Sequence, residues 1–307
     1  MRTVFFGTPR WAVPSLEALL ASDIEVAAVV TNPDRPAGRG MELRPPPVKE
    51  RALRAGLEVL QPQRAKDPEF HDSLEKLAPD VASVVAYGKI LPASLLDIPP
   101  LGFVNLHFSL LPEYRGAAPV QRAVMDGRSV SGISIMVLTE GMDEGPLLAT
   151  TEEPIRDDDT AGSLGDRLAA IGSARLVGAL VSYGAGDLTP VEQDHDRATY
   201  APKVTTEDAA IDWTRPSFAI HNQVRGLNPV PGTWTTLRGK RLKIWATRPI
   251  AGRDLAPGEL DVWDDALVAG TGDAPVELTE VQLQAKKPMS GVDAARGLRL
   301  APGERFE

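Results

Sequence analysis

Residues 102–112 read GFVNLHFSLLP and predict a buried strand that runs into a proline-bounded turn. Alternate side chains of a strand share a face, so Asn105 and His107 point the same way and their apolar neighbours point the other way. Polar side chains within an apolar strand cost free energy unless they are hydrogen-bonded, and at the carboxyl end of a parallel strand that cost usually serves a ligand. We interpret Asn105 and His107 as candidate site residues; a satisfied core histidine beside a turn-forming asparagine is the alternative.

The composition limits the classes of chemistry that this strand can serve. The 307 residues, 43% of them hydrophobic, are enough for one large domain or two smaller ones. The lack of cysteine excludes disulfides, thiolate nucleophiles and cysteine-ligated metal centres, and with only four histidines we expect no metal site. We also expect a cytoplasmic protein with no membrane contact, because the sequence has no apolar run of about 18 residues and no secretory leader pattern.

Strand and helix signals alternate through the first part of the chain. A strand at 2–7 is followed by a helix at 14–21 and a second buried strand at 24–31. The turn after the first strand lacks the G-x-G-x-x-G pattern of dinucleotide-binding proteins. The alternation predicts an α/β fold with a mostly parallel sheet covered on both faces by helices. Later strands are expected at 81–86, 102–112, 133–138 and 147–151, and a long helix ends near residue 183.

The pattern changes after this helix. Residues 189–206 are polar and show no strong periodicity, so we predict a linker there between domains at 1–188 and 207–307. Short strand-like segments then alternate with turn signals, and a helix is expected at 217–225. Several short strands at this spacing suggest a small β-barrel. These strands are expected at 232–237, 241–247, 258–262, 266–269 and 276–284.

Two segments concentrate positive charge in a chain whose net charge is −9. The loop 32–47 is rich in proline and glycine and contains Arg35 and Arg39; a loop of this length in a compact α/β domain is either functional or disordered. Residues 238–248 contain five basic side chains and no acid. Both segments are suited to phosphates, and a solvated charged surface is the alternative.

Asp143 is the acid that we expect to join Asn105 and His107. It lies between two glycines in a loop after the strand at 133–138, which is predicted to lie beside the strand at 102–112. An amide, an imidazole and a carboxylate, without a serine or thiol nucleophile, suit direct transfer of an acyl-like group to an amine. The first two groups stabilise negative charge on the carbonyl oxygen, while the carboxylate orients the imidazole or helps to remove the proton of the amine.

The chain resembles the folate-dependent formyltransferases at motifs spread over nearly its whole length. The motifs are NLH (105–107), SLLP (109–112), YRG (114–116), GMD (141–143), GTP (7–9), PDRPAGRG (33–40), AYGKILP (86–92), YAPK (200–203) and NPVPG (228–232). Two residues depart from the family pattern. Glu144 stands where many relatives have a small hydroxyl residue, and Val230 stands where an aromatic residue is common. These departures affect the expected detailed contacts but not the expected class of reaction.

The resemblance implies a Rossmann-like catalytic domain followed by an OB-like barrel. It implies transfer of a formyl group from 10-formyltetrahydrofolate, as co-substrate, to the amino group of a methionyl initiator tRNA, with Asn105, His107 and Asp143 as catalytic residues. Formyl transfer to a sugar nucleotide or purine precursor is one alternative, and a non-catalytic RNA-binding protein is another. We expect a monomer. The residues expected to contact folate are Tyr87, Gly88, Ile90, Leu91, Ser109, Leu110, Leu111 and Pro112, and those expected to contact tRNA are Arg35, Arg39, Lys240, Arg241 and Lys243.

Overall fold

The structure is a computed structural model and describes residues 1–37 and 42–307. The backbone forms two compact units, and the predicted domain boundaries at residues 188 and 206 stay a prediction. Unit 1 comprises Met1–Pro119, Ser131–Pro154 and Gly165–Ala201, and unit 2 comprises Val120–Val130, Ile155–Leu164 and Pro202–Glu307. No helix in the described residues is long and apolar enough to cross a bilayer.

The first sheet contains seven strands, and its order places the strand with Asn105 and His107 inside the sheet. The order is β5-β2-β1-β6-β7-β8-β9. Every pair from β5 to β7 is parallel, whereas β7 and β8 are antiparallel, so the prediction of a mostly parallel sheet is confirmed. The strands are β1 Arg2–Gly7, β2 Glu25–Val30, β5 Val59–Leu60, β6 Val81–Val85, β7 Phe103–His107, β8 Val130–Val137 and β9 Leu147–Pro154.

The central strands are mostly apolar because both faces of the sheet are covered, and β6 and β7 are buried along their whole length. Part of this core is aromatic. The Phe6 ring meets the rings of Tyr87 and Phe103 edge-on, with centroids 5.4 Å and 5.1 Å apart. The helices up to residue 184 are α1 Val13–Leu20, α2 Pro47–Arg54, α3 Pro68–Leu77, α4 Ala93–Leu96, α5 Pro119–Met125 and α6 Ala161–Gly184.

The segment predicted as a loop at 32–47 contains secondary structure of its own, which corrects that expectation. β3 (Arg35–Ala37) and β4 (Glu42–Arg44) form a short antiparallel ladder, and α2 begins at Pro47. Proline and glycine dominate the composition here, and both residues usually mark turns. They concealed strands of only three residues each.

The second sheet is antiparallel, and the prediction of a small β domain after the α/β domain is confirmed. Its strand order is β10-β11-β14-β13-β12, with β15 paired to β14. A short helix, α8, was not predicted, although its N-cap Ser290 accepts a hydrogen bond from the Asp293 amide. The elements are α7 Ser217–Gly226, β10 Thr233–Leu237, β11 Lys240–Pro249, β12 Leu260–Trp263, β13 Ala266–Ala269, β14 Val276–Leu283, β15 Met289–Ser290 and α8 Gly291–Leu298.

Candidate active site

Strand β7 carries Asn105 and His107 between its parallel neighbour β6 and its antiparallel neighbour β8. The two residues are 8% and 6% exposed, and the alternation of the strand sends both side chains to one face. Within residues 1–37 and 42–307, no group hydrogen-bonds the side-chain amide of Asn105. Its atoms are not fully enclosed, so the amide is available to a substrate.

The backbone segment 114–116 lies beside the His107 ring. The Tyr114 carbonyl is 2.9 Å from Nε2 of His107. Because a carbonyl only accepts hydrogen bonds, Nε2 carries a proton and donates it to this contact. Ser109 Oγ donates to the Glu113 carbonyl at 2.7 Å, which ties the turn after β7 to the same segment. The contact at Nε2 therefore fixes the orientation of the imidazole ring. Nδ1 is the ring nitrogen that this contact does not occupy.

Asp143 reaches this nitrogen from the loop between β8 and β9. Its Oδ2 accepts a hydrogen bond from the Gly116 amide at 2.8 Å and lies 3.6 Å from Nδ1 of His107. The second distance suits an ion pair with a protonated imidazole but is too long for a hydrogen bond. Asp143 has a φ of 52°, a left-handed backbone conformation that is uncommon for residues other than glycine and that clusters at functional sites.

Gly116 is required at the point where the Asp143 carboxylate docks. Its φ is +119°, and a Cβ atom there would lie 2.8 Å from the Ala201 carbonyl oxygen. A larger residue would push the chain away from Ala201 and with it the amide that binds Asp143. The close approach of two backbones therefore sets the position of the carboxylate.

The structure thus places Asn105 and His107 on one face of β7 and brings the Asp143 carboxylate to the His107 ring. It contains an unpaired amide, an imidazole with one nitrogen fixed, and a carboxylate facing the other nitrogen. The arrangement can polarise a carbonyl and accept or pass a proton beside it, without a covalent nucleophile.

Comparison with protein families identifies the class of this chain. Residues 1–180 match the model described as formyl transferase, and residues 203–299 match the model described as formyl transferase, C-terminal domain. The chain belongs to the formyltransferase family. The resemblance inferred from the sequence motifs is therefore confirmed at the level of the family.

Relatives that are similar to this formyltransferase over its full length include methionyl-tRNA formyltransferases. A methionyl-tRNA formyltransferase of Streptomyces griseus subsp. griseus is 51% identical over 306 residues, with 99% of both chains covered. One from Thermobifida fusca is 48% identical over 307 residues, with 100% of this chain and 99% of the relative covered. The likeness extends through both units of the present chain.

Solved structures share the fold of this formyltransferase at low sequence identity. A sugar 3N-formyl transferase, WlaRD, has a TM-score of 0.68 at 16% identity, with 94% of this chain and 99% of that chain covered. A HypX variant from Aquifex aeolicus also has a TM-score of 0.68, at 17% identity. The present formyltransferase covers 97% of its own length in that comparison but only 47% of HypX. These likenesses show the fold alone.

The turn 109–112 of the formyltransferase is held by a buried serine that the sequence pattern did not single out. Ser134 on β8 donates to the Ser109 carbonyl at 2.7 Å and accepts from the Leu111 amide at 2.9 Å. The turn was predicted to contact folate. Ser134 is fully buried, so its hydroxyl acts on the turn and not on a ligand.

We expect Ser134→Ala to raise the KM for the folate substrate by roughly tenfold, the equivalent of about 1.4 kcal/mol, because a buried amide and a carbonyl lose their partner. Initial rates at varied folate concentration measure this effect. Ser83→Ala is the matched control, because Ser83 is equally buried and its hydroxyl bonds that of Thr3 at 3.1 Å. An unchanged KM in folded Ser134→Ala would show that this hydroxyl does not shape the folate turn.

The other turn predicted to contact folate, 86–92, leaves the sheet at the same edge, because Val85 pairs with Leu106. The residues of this turn differ in their exposure to solvent. Ile90 is 83% exposed, whereas the Tyr87 ring lies in the core at 2% exposure. Burial raises the pKa of the Tyr87 hydroxyl to about 12. Tyr87 therefore supports the turn from below, and Gly88 and Ile90 form its exposed part.

The structure describes all but one of the residues of the formyltransferase that are predicted to contact tRNA. Arg35 is exposed on β3, and Arg39 lies outside the described residues. On β11, Arg241 stacks over the Trp234 ring at 4.0 Å, and Lys243 lies over the Trp245 ring at 4.7 Å. These two pairs form a basic and aromatic face.

Ion pairs divide the basic run at 238–248. Arg238 pairs with Glu304, and Arg248 Nε donates to Glu277 at 3.0 Å. Over residues 1–37 and 42–307, no ion pair forms at Lys240, Arg241 or Lys243. The ends of the run thus pair their charge with carboxylates, whereas its middle does not. The contact of Lys240, Arg241 and Lys243 with tRNA stays a prediction, with a solvated charged surface as its alternative.

Proposed function

We propose that this formyltransferase transfers a formyl group from 10-formyltetrahydrofolate to the α-amino group of initiator methionyl-tRNA. The observation that carries the proposal is the convergence of Asn105, His107 and Asp143 on one buried site with an unpaired amide. Full-length relatives at about half identity, named methionyl-tRNA formyltransferases, support this acceptor. A HypX structure described in complex with tetrahydrofolic acid supports a folate donor for this fold.

The reaction needs one bond to form and one to break. The amine nitrogen of the methionyl group attacks the formyl carbon, and the formyl oxygen becomes an oxyanion. The bond between the formyl carbon and N10 of the folate then breaks, and the proton released by the amine is matched by one gained at N10. The products are formyl-methionyl-tRNA and tetrahydrofolate.

The oxyanion is where Asn105 and His107 act. The Asn105 amide donates to it without giving up another bond, since no protein group of the described residues holds that amide. Nε2 of His107 is already committed to the Tyr114 carbonyl, so Nδ1 is the nitrogen that presents a proton to the substrate. Asp143 faces Nδ1 at 3.6 Å, where its carboxylate orients the imidazole or helps to remove the proton of the attacking amine.

The folate is proposed to lie along the two turns that leave the sheet beside His107. Ser109, Leu110, Leu111 and Pro112 belong to one turn, and Gly88, Ile90 and Leu91 belong to the other, with Tyr87 beneath it. Ser134 fixes the first turn. We place the enzyme in the cytoplasm, where translation begins, and its expected monomeric state stays a prediction.

The acceptor is proposed to be held by local positive charge against an overall charge of −9. Arg35 and Arg39 would reach the acceptor end, while Lys240, Arg241 and Lys243 would lie along the backbone. The aromatic rings beneath Arg241 and Lys243 hold these cations in place.

Neutralising Lys240, Arg241 and Lys243 together to glutamine is expected to weaken binding of all tRNAs alike. The affinity falls as salt rises, and removing one phosphate contact makes the plot of log affinity against log salt less steep by roughly 0.7 to 0.9. Filter binding at several salt concentrations measures the slope. The matched control neutralises Arg238, Arg248 and Arg296, which already pair with carboxylates, and it changes the net charge equally. Equal slopes for both triple variants would refute a specific contact on β11.

An acceptor panel tests the proposed substrate class. Met-tRNA, an amino-sugar nucleotide and an amine precursor of purines are offered separately with 10-formyltetrahydrofolate, and the tetrahydrofolate released is measured. We expect turnover with Met-tRNA alone. Turnover with the sugar nucleotide or the purine precursor, and none with Met-tRNA, would establish the alternative reaction. Binding of tRNA without any turnover would establish a non-catalytic RNA-binding protein.

A further inference from the structure

The segment 193–201 supports the active site from a part of the chain predicted as a linker. The Thr199 carbonyl accepts from the Arg115 amide at 2.9 Å, and Thr199 Oγ1 accepts from the Tyr114 amide at 2.8 Å. The Ala201 amide donates to the Arg115 carbonyl at 2.7 Å. The backbone that supplies partners to His107 and Asp143 is therefore itself fixed to this segment.

Gln193 connects this segment to the loop of Asp143. Its side-chain Nε2 donates to the backbone carbonyls of Asp143 at 2.9 Å and Gly145 at 2.7 Å. Its Oε1 accepts from Nε of Arg115 at 3.2 Å and from Nη2 at 2.7 Å. Gln193 is 5% exposed, so these contacts do not compete with bulk water. One amide thus joins two loops that are distant in sequence.

Arg115 is an unusual partner because its charge is buried. The residue is 2% exposed, and in the described part of the chain no carboxylate pairs with it. Its guanidinium donates to Oε1 of Gln193 and to Nδ1 of His195, the latter at 3.1 Å from Nη2. A buried guanidinium is costly unless its donors are satisfied. Arg115 and Gln193 therefore fix each other in position.

The contacts close a ring around Asp143. Its carboxylate binds the Gly116 amide, and its carbonyl binds Gln193, which binds the side chain of Arg115, the residue before Gly116. The left-handed conformation of Asp143 is unfavourable and persists only where surrounding contacts determine it. Gln193 supplies two of those contacts, one on Asp143 and one on Gly145.

We propose that Gln193 is a positioning residue that holds the Asp143 carboxylate toward His107. The proposal rests on the proposed function, in which Asp143 assists the transfer. Gln193 touches no reacting atom, so its effect belongs to the turnover step and not to the binding of either substrate. A displacement of the carboxylate by about 1 Å is enough to cost up to 10²-fold in rate.

Two substitutions of Gln193 separate the removal of its donors from the addition of a charge. Gln193→Glu keeps the shape and an acceptor for Arg115 but turns a carboxylate oxygen toward two carbonyls. Gln193→Met keeps similar bulk, stays neutral and removes every hydrogen bond. We expect both to lower kcat by about 10- to 100-fold per folded molecule, with the KM values of both substrates changed by less than about threefold. Circular dichroism gives the folded fraction.

Gln223 provides a matched structural control. Its Nε2 donates to the carbonyls of Asp208 and Ala210 at 2.8 Å and 2.9 Å, and the residue is 3% exposed. Gln223→Glu thus imposes the same chemical change on a pair of carbonyls in unit 2, whereas the proposed catalytic residues belong to unit 1. We expect lower stability and an unchanged kcat per folded molecule.

A double-mutant cycle with Asp143→Asn decides whether Gln193 acts through Asp143. In the Asp143→Asn background, either Gln193 substitution is expected to lower kcat by less than about threefold, because the group it positions has already lost its function. If the fold-losses in kcat of the two single variants multiplied in the double variant, the positioning role would be overturned. A normal kcat in folded Gln193→Met would overturn it as well. A full rate in Asp143→Asn would refute the role of Asp143 in the transfer, and with it the positioning role of Gln193. A loss of rate in Asp143→Asn but not in the Gln193 variants would refute the positioning role alone, and the acceptor panel tests the proposed function separately.

Discussion

His107→Ala is expected to lower kcat by about 10²-fold or more, because the transition state loses the proton that the imidazole presents to the formyl oxygen. The loss belongs to kcat, since Nδ1 acts on charge that develops during the reaction and adds little to the binding of either substrate. Asn105→Ala, which removes the second donor, is expected to lower kcat by a similar factor. Rates under saturating Met-tRNA and folate measure both.

His71 supplies the control for the loss of a ring that bonds a backbone carbonyl. Its Nε2 lies 2.8 Å from the Ala65 carbonyl, which matches the contact between His107 and Tyr114. His71→Ala is expected to cost stability and leave kcat per folded molecule unchanged. Near-normal turnover in folded His107→Ala would rule out the imidazole as a participant in transfer.

Asp143→Asn is expected to lower kcat by a comparable factor of about 10² with little change in stability. The amide oxygen can still accept from the Gly116 amide, so the loop keeps its anchor, while the negative charge opposite Nδ1 of His107 is removed. The measurement is kcat beside a denaturant unfolding curve on the same protein. The alternative is a turn aspartate that only caps local amides.

Glu144→Gln is the control for the charge of the loop itself. It removes the neighbouring carboxylate, whose side chain folds over Gly141. We expect a change in rate of less than about threefold. If Asp143→Asn reduced stability and spared the rate per folded molecule, or if Glu144→Gln were as damaging as Asp143→Asn, a specific role of Asp143 in proton transfer would be refuted.

The strand with Asn105 and His107 could be predicted from the sequence because alternation along a strand is a local property. The same holds for α6, whose predicted end near residue 183 agrees with the structure. Asp143 could be predicted as the third member because its glycine neighbours marked a loop after a strand beside β7, and β8 does pair with β7.

The support of the site could not be predicted in the same way. Gln193 contacts Arg115 across 78 residues of sequence, and nothing in the polar segment around it marks a periodic element. The spacing of Ser134 on β8 likewise gives no sign that its hydroxyl holds a turn after β7. For α8, by contrast, the sequence does contain a signal for the start of a helix, because Ser290 and Asp293 have the spacing of a helix cap.

Tyr87 shows that the place of a residue in a sequence motif does not tell which part of the residue faces a ligand. Its position in the turn after β6 predicts a folate contact, which stays a prediction, while the structure packs its ring against Phe6 in the core. A strand end brings some side chains to a ligand and buries others beneath it, and the motif does not distinguish them. Ile90 in the same turn is exposed.

Direct transfer of the formyl group from folate to Met-tRNA is tested most directly by following a label. The enzyme is mixed in excess with 10-formyltetrahydrofolate labelled in the formyl group, with and without Met-tRNA, and quenched in acid over a single turnover. We predict that the label appears on the methionyl amino group when Met-tRNA is present, and that none is bound to protein in either case. Label held covalently by the protein, or none on the methionyl group, would contradict the account.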